Sequence, residues 1–393
     1  MSHCTRCIAD GSGDDPFGWR NSSRAGQNQP AARRDNARMS WAVQAVQLPD
    51  GDRLVDLWVD AAGCLVTEPV PGAERLPGRY VVPGLVDAHA HPAVGQEAGM
   101  PVALDGSEAL NVLAAWAADG VCLVRDTGSP GGSVLQLDLV PGMPRLQAAG
   151  RFLAPAGRYF PVLLPEAAPQ ERLSELAVSE LARGGRWVKV IADFPPITDG
   201  VPSGPPELTY SGEAIKAMVA AVHAAGGRVA AHVTTAVVSD LVRAGVDSVE
   251  HGTAIDDSAL RLMAQTGAAW TPTLCAVLGL PDTASEASRR RVAEYRERLA
   301  ELLPLAQRLG VPILAGTDTA GTIAREVALL AEHGLEPAAA LKAATTTGYR
   351  FLGEPFDQAG QPTTLVTYQD DPREDLAALS SPSAVIIDGV RVR

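Results

Sequence analysis

The stretch VVPGLVDAHAHP, from Val81 to Pro92, decides the fold and raises the main question about this chain. Its apolar residues are those of a buried β-strand, yet the run ends in His89 and His91. Side chains alternate between the two faces of a strand, so residues two apart project the same way. The two imidazoles are therefore predicted to lie side by side, where both could bind one metal ion.

Seven further short apolar segments follow, with helical patterns between most of them. The eight segments are VVPGLVDAHAHP, VCLVRDTG, RLQAAG, RWVKVIAD, RVAAHV, DSVEHG, AWTPTL and VPILAGTD. SGEAIKAMVAAVHAAG is one of the intervening helices, with Ser211 as its predicted N-cap and Gly226 beyond its end. Strand–helix alternation of this length predicts an α/β fold, a (β/α)8 TIM barrel over residues 81–354, with a doubly wound sheet as the alternative.

The two ends of the chain differ from this middle. Residues 39–80 contain the alternating runs AVQAVQL and LVDLWVD, and residues 355–393 contain TTLVTYQ and SAVIIDGVRVR. Such runs predict short strands, and we expect the two ends to pair into one small sheet domain. Residues 1–38 are polar and lack hydrophobic periodicity, so they are predicted to be a disordered N-terminal extension.

Composition excludes several classes of protein. The 393 residues carry a formal net charge of −13, which argues against a nucleic-acid surface. No apolar run approaches the ~20 residues of a membrane-spanning helix. The five cysteines are odd in number and scattered, which argues against a disulfide framework and favours the reducing cytoplasm. We expect a small-molecule substrate, no nucleic-acid or membrane partner, and leave a homo-oligomer open.

In a barrel, active-site residues lie at the carboxyl ends of the strands. Four of the seven histidines fall there, together with one lysine and one aspartate. These six residues are His89, His91, Lys189, His232, His251 and Asp318. Neutral imidazole and carboxylate are good ligands for zinc and its neighbours, so the set predicts a metal site at the barrel mouth.

Lys189 and Asp318 each have an alternative interpretation. Lys189 lies among apolar residues in RWVKVIAD, where desolvation beside cations lowers an amine's pKa. A deprotonated amine can add carbon dioxide and form a carbamate that bridges two metals, whereas the alternative is a lysine that reaches solvent. Asp318 precedes a predicted helix, so it could instead be a helix N-cap.

These motifs resemble the amidohydrolase superfamily, and most closely its imidazolonepropionase-like and prolidase-like metal-dependent hydrolases. The resemblance runs from about Trp41 to the C-terminus and rests on PGLVDAHAH, GVCLVRDTG, WVKVIAD, AGGRVAAHV, AGVDSVEHG, TPTL, LAGTD and DPRED…VIIDGV. It implies two divalent ions, with zinc expected, and a small β-sandwich built from both chain ends. It also implies that His89, His91 and Asp318 hold one ion, that His232 and His251 hold the second, and that carboxylated Lys189 lies between them.

The chain departs from this pattern in three places. PAGRYFP replaces a Gly-Gly-His turn that follows the third strand in many relatives, so that Arg158 or Tyr159 stands at the histidine's position. After the strand that carries Lys189, DFPP replaces a Gly-Gly pair. Near the C-terminus, Thr363-Thr364-Leu365 replaces Ala-Asp-Leu. Tyr210, in LTYSGEAI, matches a tyrosine that contacts the substrate carboxylate in prolidase-like members; alternatively it packs at the helix start. Arg158 and Tyr210 are therefore the predicted substrate-binding residues.

The expected reaction is hydrolysis of an amide or peptide-like C–N bond in a small molecule by a metal-bridging hydroxide. Asp318 would take the proton from the nucleophile and pass it to the leaving nitrogen, and His251 would help to stabilise the oxyanion. One alternative is a mononuclear deaminase or a cyclic-amide or lactone hydrolase, against which Lys189 argues. Another is a non-catalytic barrel homologue, which is disfavoured because all six ligands are present.

Overall fold

The computed structural model describes residues 39–97, 99–280, 284–356 and 358–393, and the fold is mixed α/β. The segment 1–38, predicted to be disordered, lies outside the described residues.

The described α-helices are α1 (Gly106–Ala118), α2 (Leu173–Ala182), α3 (Gly212–Ala224), α4 (Val238–Ala244), α5 (Asp257–Thr266), α6 (Leu274–Leu278), α7 (Glu286–Leu309), α8 (Ile323–Glu332), α9 (Pro337–Ala343) and α10 (Thr346–Leu352). Short 3-10 helices span Pro130–Gln136, Gln170–Arg172 and Leu376–Ser380. Among these described helices, none has the length and apolar character needed to cross a membrane.

The amino-terminal strands are β1 (Trp41–Gln47), β2 (Arg53–Val59), β3 (Leu65–Val66), β4 (Glu74–Arg75) and β5 (Tyr80–Val82). β1 and β2 form an antiparallel hairpin, in which Trp41 pairs with Val59 and Gln47 with Arg53. β5 then pairs with β1 in the parallel direction. The alternating runs near the chain start are therefore strands, as their period of two predicts.

The central strands are β6 (Leu85–Ala90), β7 (Val94–Glu97), β8 (Met100–Ala103), β9 (Val121–Asp126), β10 (Arg145–Ala148), β11 (Phe152–Leu153), β12 (Trp187–Ile191), β13 (Asp193–Phe194), β14 (Ile197–Thr198), β15 (Val201–Pro202), β16 (Glu207–Leu208), β17 (Arg228–Val233), β18 (Ser248–His251) and β19 (Ala269–Thr271). Two parallel sheets run through them, in the orders β10-β9-β6 and β11-β12-β17-β18-β19. The remaining strands form short antiparallel pairs, β7–β8, β13–β16 and β14–β15, which follow parallel strands in the chain.

Backbone contacts connect the two parallel sheets at both sides. The segment 311–318 forms parallel bridges to each sheet, through Asp318 to Ala90 and through Ile313 to Trp270. On the other side, the Arg186 N–H, just before β12, donates to the carbonyl of Ala148 at the end of β10. The predicted eighth strand, VPILAGTD, is thus present as isolated bridges and not as a continuous strand.

The carboxy-terminal strands β20 (Leu365–Tyr368), β21 (Ala384–Ile387) and β22 (Val390–Arg391) join the amino-terminal strands. β20 pairs antiparallel with β5 through Val366 and Val82, which gives the strand order β22-β21-β20-β5-β1-β2-β3, with β4 on β1. Strands from both chain ends therefore belong to one sheet. β5 reaches Val82, two residues beyond the boundary drawn from sequence at residue 80.

The helices cover the parallel strands with apolar stripes. In α3 the buried residues Ile215, Met218, Val219 and Val222 recur at helical spacing, and each such burial contributes about 1.5–3 kcal/mol. The helix begins where the Ser211 side chain accepts a hydrogen bond from the Ala214 N–H. Beyond its end, Gly226 adopts a positive φ of 79°. Both ends of this helix are thus the ones that its sequence predicts.

Candidate metal centre

The structure brings the six predicted ligands together, five of them at or near the carboxyl end of a parallel segment and Lys189 in the middle of β12. Ligand atoms of His89, His91 and Asp318 lie within 4.8 Å of one another. The His251 ring centroid is 5.0 Å from that of His89 and 4.5 Å from that of His232. Lys189, on β12, places its Nζ 3.5 Å from His89 Nε2. Carboxyl ends of parallel strands meet at one edge, which explains why residues so distant in sequence converge.

Two of the histidines are held in one tautomer by backbone and carboxylate oxygens. His89 Nδ1 lies 2.6 Å from Glu250 Oε2, and His91 Nδ1 lies 2.8 Å from the Gly128 carbonyl oxygen. A carbonyl oxygen only accepts, and the Glu250 carboxylate is ion-paired with Arg125, so each Nδ1 is the donor. The Nε2 lone pairs of both rings are therefore left for another ligand or ion, which is the arrangement typical of histidine bound to metal.

A hydroxyl fixes the tautomer of His251. Its Nδ1 lies 2.7 Å from Thr273 Oγ1, and that hydroxyl donates to the Pro272 carbonyl at 2.8 Å. A hydroxyl has a single proton, so Thr273 must accept from His251 Nδ1–H. The His251 Nε2 lone pair is consequently available, as it is in His89.

Asp193 organises the chain around His232. Its carboxylate accepts hydrogen bonds from the N–H and the hydroxyl of both Thr234 and Thr235, directly after β17. The distance from Asp193 Oδ1 to His232 Nε2 is 4.0 Å, too long for a hydrogen bond. Asp193 therefore shapes the loop after His232, and the imidazole itself keeps its ligand capacity.

Burial keeps these groups in the protonation states that metal binding requires. It lowers the pKa of His91 to about 3 and that of His232 to about 4. Burial also holds the pKa values of His89 and His251 well below their usual value, so all four imidazoles are neutral near pH 7. Burial lowers the pKa of Lys189 to about 8, which brings its neutral amine within reach near physiological pH.

A buried ion pair behind His89 was not found by sequence reasoning. Arg125 Nη2 donates to Glu250 Oε1 at 2.9 Å, while the other carboxylate oxygen accepts from His89. Arg125 also donates from Nε to the Ala88 carbonyl, and its guanidinium lies 4.5 Å from the Trp187 ring centroid. Arg125 and Glu250 are charged residues in strands whose residues are all buried. Because buried charges are almost always paired, that pattern was the available signal.

Asp87 connects β6, which carries His89 and His91, to the segment that carries Asp318. Its carboxylate accepts from the His89 N–H at 3.2 Å and from the Thr317 hydroxyl at 2.6 Å. The Asp318 N–H in turn donates to the His89 carbonyl at 2.7 Å. These bonds fix the spacing between His89 and Asp318. Burial raises the pKa of Asp87 to about 7.

Asp318 does not cap the helix that follows it. α8 begins at Ile323, and its N-cap is Thr322, whose hydroxyl accepts from the Arg325 N–H. The Asp318 side chain keeps 21% of its surface exposed, and burial raises its pKa to about 6. The helix-cap interpretation is therefore wrong, and the carboxylate is directed to the histidines.

Backbone strain concentrates at this centre. Among the described residues other than glycine, five have φ in the left-handed region, and three of them are His251 (67°), Thr273 (50°) and Asp318 (60°). Such a conformation costs on the order of 1–3 kcal/mol and persists where surrounding contacts enforce it. The contacts of Thr273 and of the Asp318 N–H supply that enforcement. Strain of this kind is typical of functional sites.

The two predicted substrate-binding residues already bond protein oxygens. The buried Tyr210 hydroxyl donates to the Ala168 carbonyl at 2.7 Å. Arg158 donates from Nη1 to Glu207 Oε2 at 2.8 Å and from Nη2 to the Glu207 carbonyl at 2.9 Å. The neighbouring Tyr159 instead faces the cluster, with its ring centroid 6.5 Å from that of His232. Of the two residues considered at the PAGRYFP turn, Tyr159 is thus the one packed beside a predicted ligand.

The residues present fit a divalent metal. Three imidazoles carry their proton on Nδ1 and a lone pair on Nε2, whose protein neighbours are Lys189 Nζ at 3.5 Å for His89 and the Thr127 hydroxyl at 3.4 Å for His91. The Asp318 carboxylate lies 3.5 Å from His91 Nε2. Nitrogen and carboxylate oxygen donors of this kind are those that zinc and neighbouring divalent ions take in proteins. Lys189 is buried with its Nζ 3.5 Å from His89 Nε2, where an ammonium group would be costly.

The chain belongs to the amidohydrolase family, whose model matches residues 80–392. The superfamily that the sequence motifs indicated is thereby confirmed. An uncharacterized protein of Mycobacterium tuberculosis is 35% identical over 361 residues, which cover 88% of this chain and 94% of the relative.

Two solved structures share the fold. One is a Xaa-Pro dipeptidase with bound methionine in the active site, with a TM-score of 0.75 and 21% identity over 90% of this chain and 99% of that one. The other is the A. niger ochratoxinase, with a TM-score of 0.73 and 19% identity over 90% of this chain and 96% of that one. At these identities the likeness establishes a common α/β architecture.

Proposed function

We propose that this protein is a metal-dependent amidohydrolase that hydrolyses an amide or peptide-like C–N bond of a small molecule. The observation that carries the proposal is the donor set. His89, His91 and His251 each bond a protein oxygen through Nδ1, ligand atoms of His89, His91 and Asp318 lie within 4.8 Å of one another, and the His251 ring centroid is 5.0 Å from that of His89. Family membership supports hydrolysis as the class of reaction.

The proposed cofactor is a pair of divalent ions, with zinc as the expected element. His89, His91 and Asp318 would hold one ion, His232 and His251 the other, and Lys189 would bridge them as a carbamate. Bound there, such ions lower the pKa of a water so that hydroxide forms near neutral pH, and they polarise a carbonyl. The burial of Lys189 and its pKa of about 8 support the carbamate, because only the neutral amine adds carbon dioxide.

Asp318 has the properties of the proton-transfer group. Its side chain is partly exposed and its pKa is near 6, so it is ionised at neutral pH and still basic enough to accept a proton. It would hold that proton on a carboxylate oxygen and deliver it to the leaving nitrogen. His251 Nδ1 lies 3.9 Å from Asp318 Oδ2, which makes His251 the proposed second catalytic residue, beside the developing oxyanion.

The remaining parts of the proposal concern the setting of this centre. We infer that the parallel strands close into a (β/α)8 barrel over residues 81–354, supported by the backbone links at both sides of the sheets. We also infer that residues 39–80 and 355–393 form a β-sandwich domain. Tyr210 and Arg158 would shape the substrate-binding wall through their bonds to protein oxygens. Free thiols at the described cysteines Cys64, Cys122 and Cys275 support a cytoplasmic enzyme.

One observation favours a second candidate, a mononuclear deaminase or cyclic-amide or lactone hydrolase. The tight group of His89, His91 and Asp318, within 4.8 Å, would by itself hold a single ion. In that case His232 and His251 would act on the substrate and Lys189 would remain an amine.

Metal content and substrate range together test the proposal. Protein loaded with zinc and then freed of excess ion by gel filtration should contain two ions per chain by mass spectrometry of the metal. It should hydrolyse members of a panel of N-acyl amino acids, dipeptides, lactams and lactones, with amides preferred. One ion per chain with deamination or lactone opening would instead select the second candidate.

A further inference from the structure

Tyr159 combines a buried ring with an unpaired hydroxyl. The residue is 9% exposed, and its ring packs between Phe152 and Phe194, each with a centroid distance of 5.0 Å. Within the described part of the chain, no group forms a hydrogen bond with its hydroxyl. The oxygen is also not among the fully enclosed unpaired atoms, so it reaches accessible space. A buried phenol usually satisfies its hydroxyl with a hydrogen bond, so this unpaired hydroxyl is available to a bound ligand.

That space adjoins the metal centre. The Tyr159 ring lies 6.5 Å from the His232 ring, centroid to centroid. Burial, together with the negative charge of Asp318, raises the pKa of Tyr159. The phenol therefore stays protonated at working pH and acts as a donor.

The rings that hold Tyr159 also touch the predicted ligands. Phe152 lies 5.3 Å from the His91 ring and Phe194 lies 5.7 Å from the His232 ring, centroid to centroid. The position of the Tyr159 hydroxyl is thus fixed relative to both halves of the centre by close-packed aromatic contacts. A donor fixed in advance requires no reorganisation when charge develops near it.

We propose that Tyr159 is a catalytic residue whose hydroxyl donates a hydrogen bond to the carbonyl oxygen of the bound substrate. The proposal rests on the hydrolase function proposed above. The bond strengthens as that oxygen becomes negative during attack, so it stabilises the transition state more than the bound substrate. Tyr159 and Asp318 therefore have different roles, in which Tyr159 stabilises the oxyanion and Asp318 transfers the proton.

The chain offers a matched control in Tyr368, on β20. Both tyrosines are buried, and among the described residues neither hydroxyl has a hydrogen-bond partner, but the Tyr368 hydroxyl is fully enclosed. Tyr159→Phe and Tyr368→Phe each remove a hydroxyl without a protein partner, so the melting temperature should fall in neither variant. Of the two, Tyr159 is the one beside a predicted metal ligand, so its hydroxyl alone should affect binding at the centre.

The test uses the full-length, zinc-loaded protein and methylphosphonate, a tetrahedral anion that resembles the addition product of a carbonyl. Isothermal titration should show that Tyr159→Phe raises the Kd about tenfold or more, the usual effect of losing a hydrogen bond to a charged group. Tyr368→Phe should bind within about twofold of wild type. Unchanged binding by Tyr159→Phe, equal weakening in both variants, or no binding by the wild type would overturn the assignment.

Failure of this assignment is separable from failure of the proposed function. If the wild type and Tyr159→Phe hydrolyse an amide at the same rate, Tyr159 is not catalytic and the hydrolase proposal stands. If methylphosphonate binding depends on Tyr159 but no amide or lactone is turned over, the assignment of the donor stands and the hydrolase proposal falls.

Discussion

Replacement of Glu250 by glutamine tests how the centre is held together. The Glu250 carboxylate is fully buried and accepts from both His89 Nδ1 and Arg125 Nη2. Glu250→Gln keeps the size of the side chain but leaves the Arg125 guanidinium buried without a counter-charge. Removing one partner of a buried ion pair costs about 3–5 kcal/mol. Arg125 retains the Ala88 carbonyl and the Trp187 ring, so we expect a loss near the lower end, about 3 kcal/mol.

The same change should weaken metal binding. A glutamine offers one acceptor oxygen to two donors, so its amide group must face either His89 or Arg125. With the amide group toward His89, which leaves the oxygen for the charged Arg125, the ring loses the acceptor that keeps its proton on Nδ1 and its lone pair on Nε2. Loss of such a supporting carboxylate typically lowers metal affinity about 10–100-fold.

Two measurements check these magnitudes. Urea unfolding of chelator-treated protein gives the free energy of unfolding, and zinc titration against a chromophoric chelator gives the affinity. Glu332→Gln is the control: Glu332 pairs with Arg325 at side-chain exposures of 51% and 52%, so its loss should cost at most about 1 kcal/mol and leave zinc affinity unchanged. A Glu250→Gln protein as stable as wild type, with wild-type zinc affinity, would refute the role assigned to the buried pair.

Three further substitutions probe the site and the fold. Lys189→Ala should reduce bound zinc from two ions to one or none, measured by metal analysis, and two retained ions would contradict a lysine bridge. Asp318→Asn should fold normally, because Thr322 caps α8, while kcat falls by about 10²–10⁴; turnover within a few-fold of wild type would place the base elsewhere. Burial raises the pKa of Glu326 from its usual 4.5 to about 7. The protonated side chain therefore contributes fully to the free energy of unfolding below about pH 4.5, and this contribution, about 3 kcal/mol, is lost as the pH rises through 7. Asp87 also has a raised pKa and stays in the variant, so urea unfolding of metal-free protein should show a decline about 3 kcal/mol smaller in Glu326→Gln than in wild type. Equal pH dependence in the two proteins would contradict this.

Much of the candidate centre could be predicted because its ligands obey local rules. His89 and His91 are two residues apart on a strand, and His232, His251 and Asp318 each end an apolar segment. Parallel strand ends meet at one edge, so residue type and position were sufficient to assemble them. The extent of α3 was likewise predictable from its cap and its following glycine.

The supporting contacts could not be predicted, because they depend on three-dimensional neighbours. Glu250 is adjacent to His251 in the chain but bonds His89 and Arg125, more than a hundred positions away. The choice between Arg158 and Tyr159 was equally undecidable, since adjacent residues in a loop point apart and only backbone direction tells which one faces the cluster. An aspartate that precedes a predicted helix is compatible with a helix cap, but the sequence does not show that the chain continues from Asp318 to Thr322 before α8 begins.

The pairing of β20 with β5 sets an order of events during synthesis. β5 leaves the ribosome early with one edge already matched by β1, but Val82 meets Val366 only after about 280 more residues have been made. At typical bacterial and eukaryotic elongation rates that wait lasts roughly 15–60 s, during which the edge stays open to other strands. The predicted metal centre is also completed late, because His89 is translated early and Asp318 late. Nascent chains that stall before residue 318 would therefore carry an exposed strand edge and an incomplete centre, which makes them substrates for chaperones.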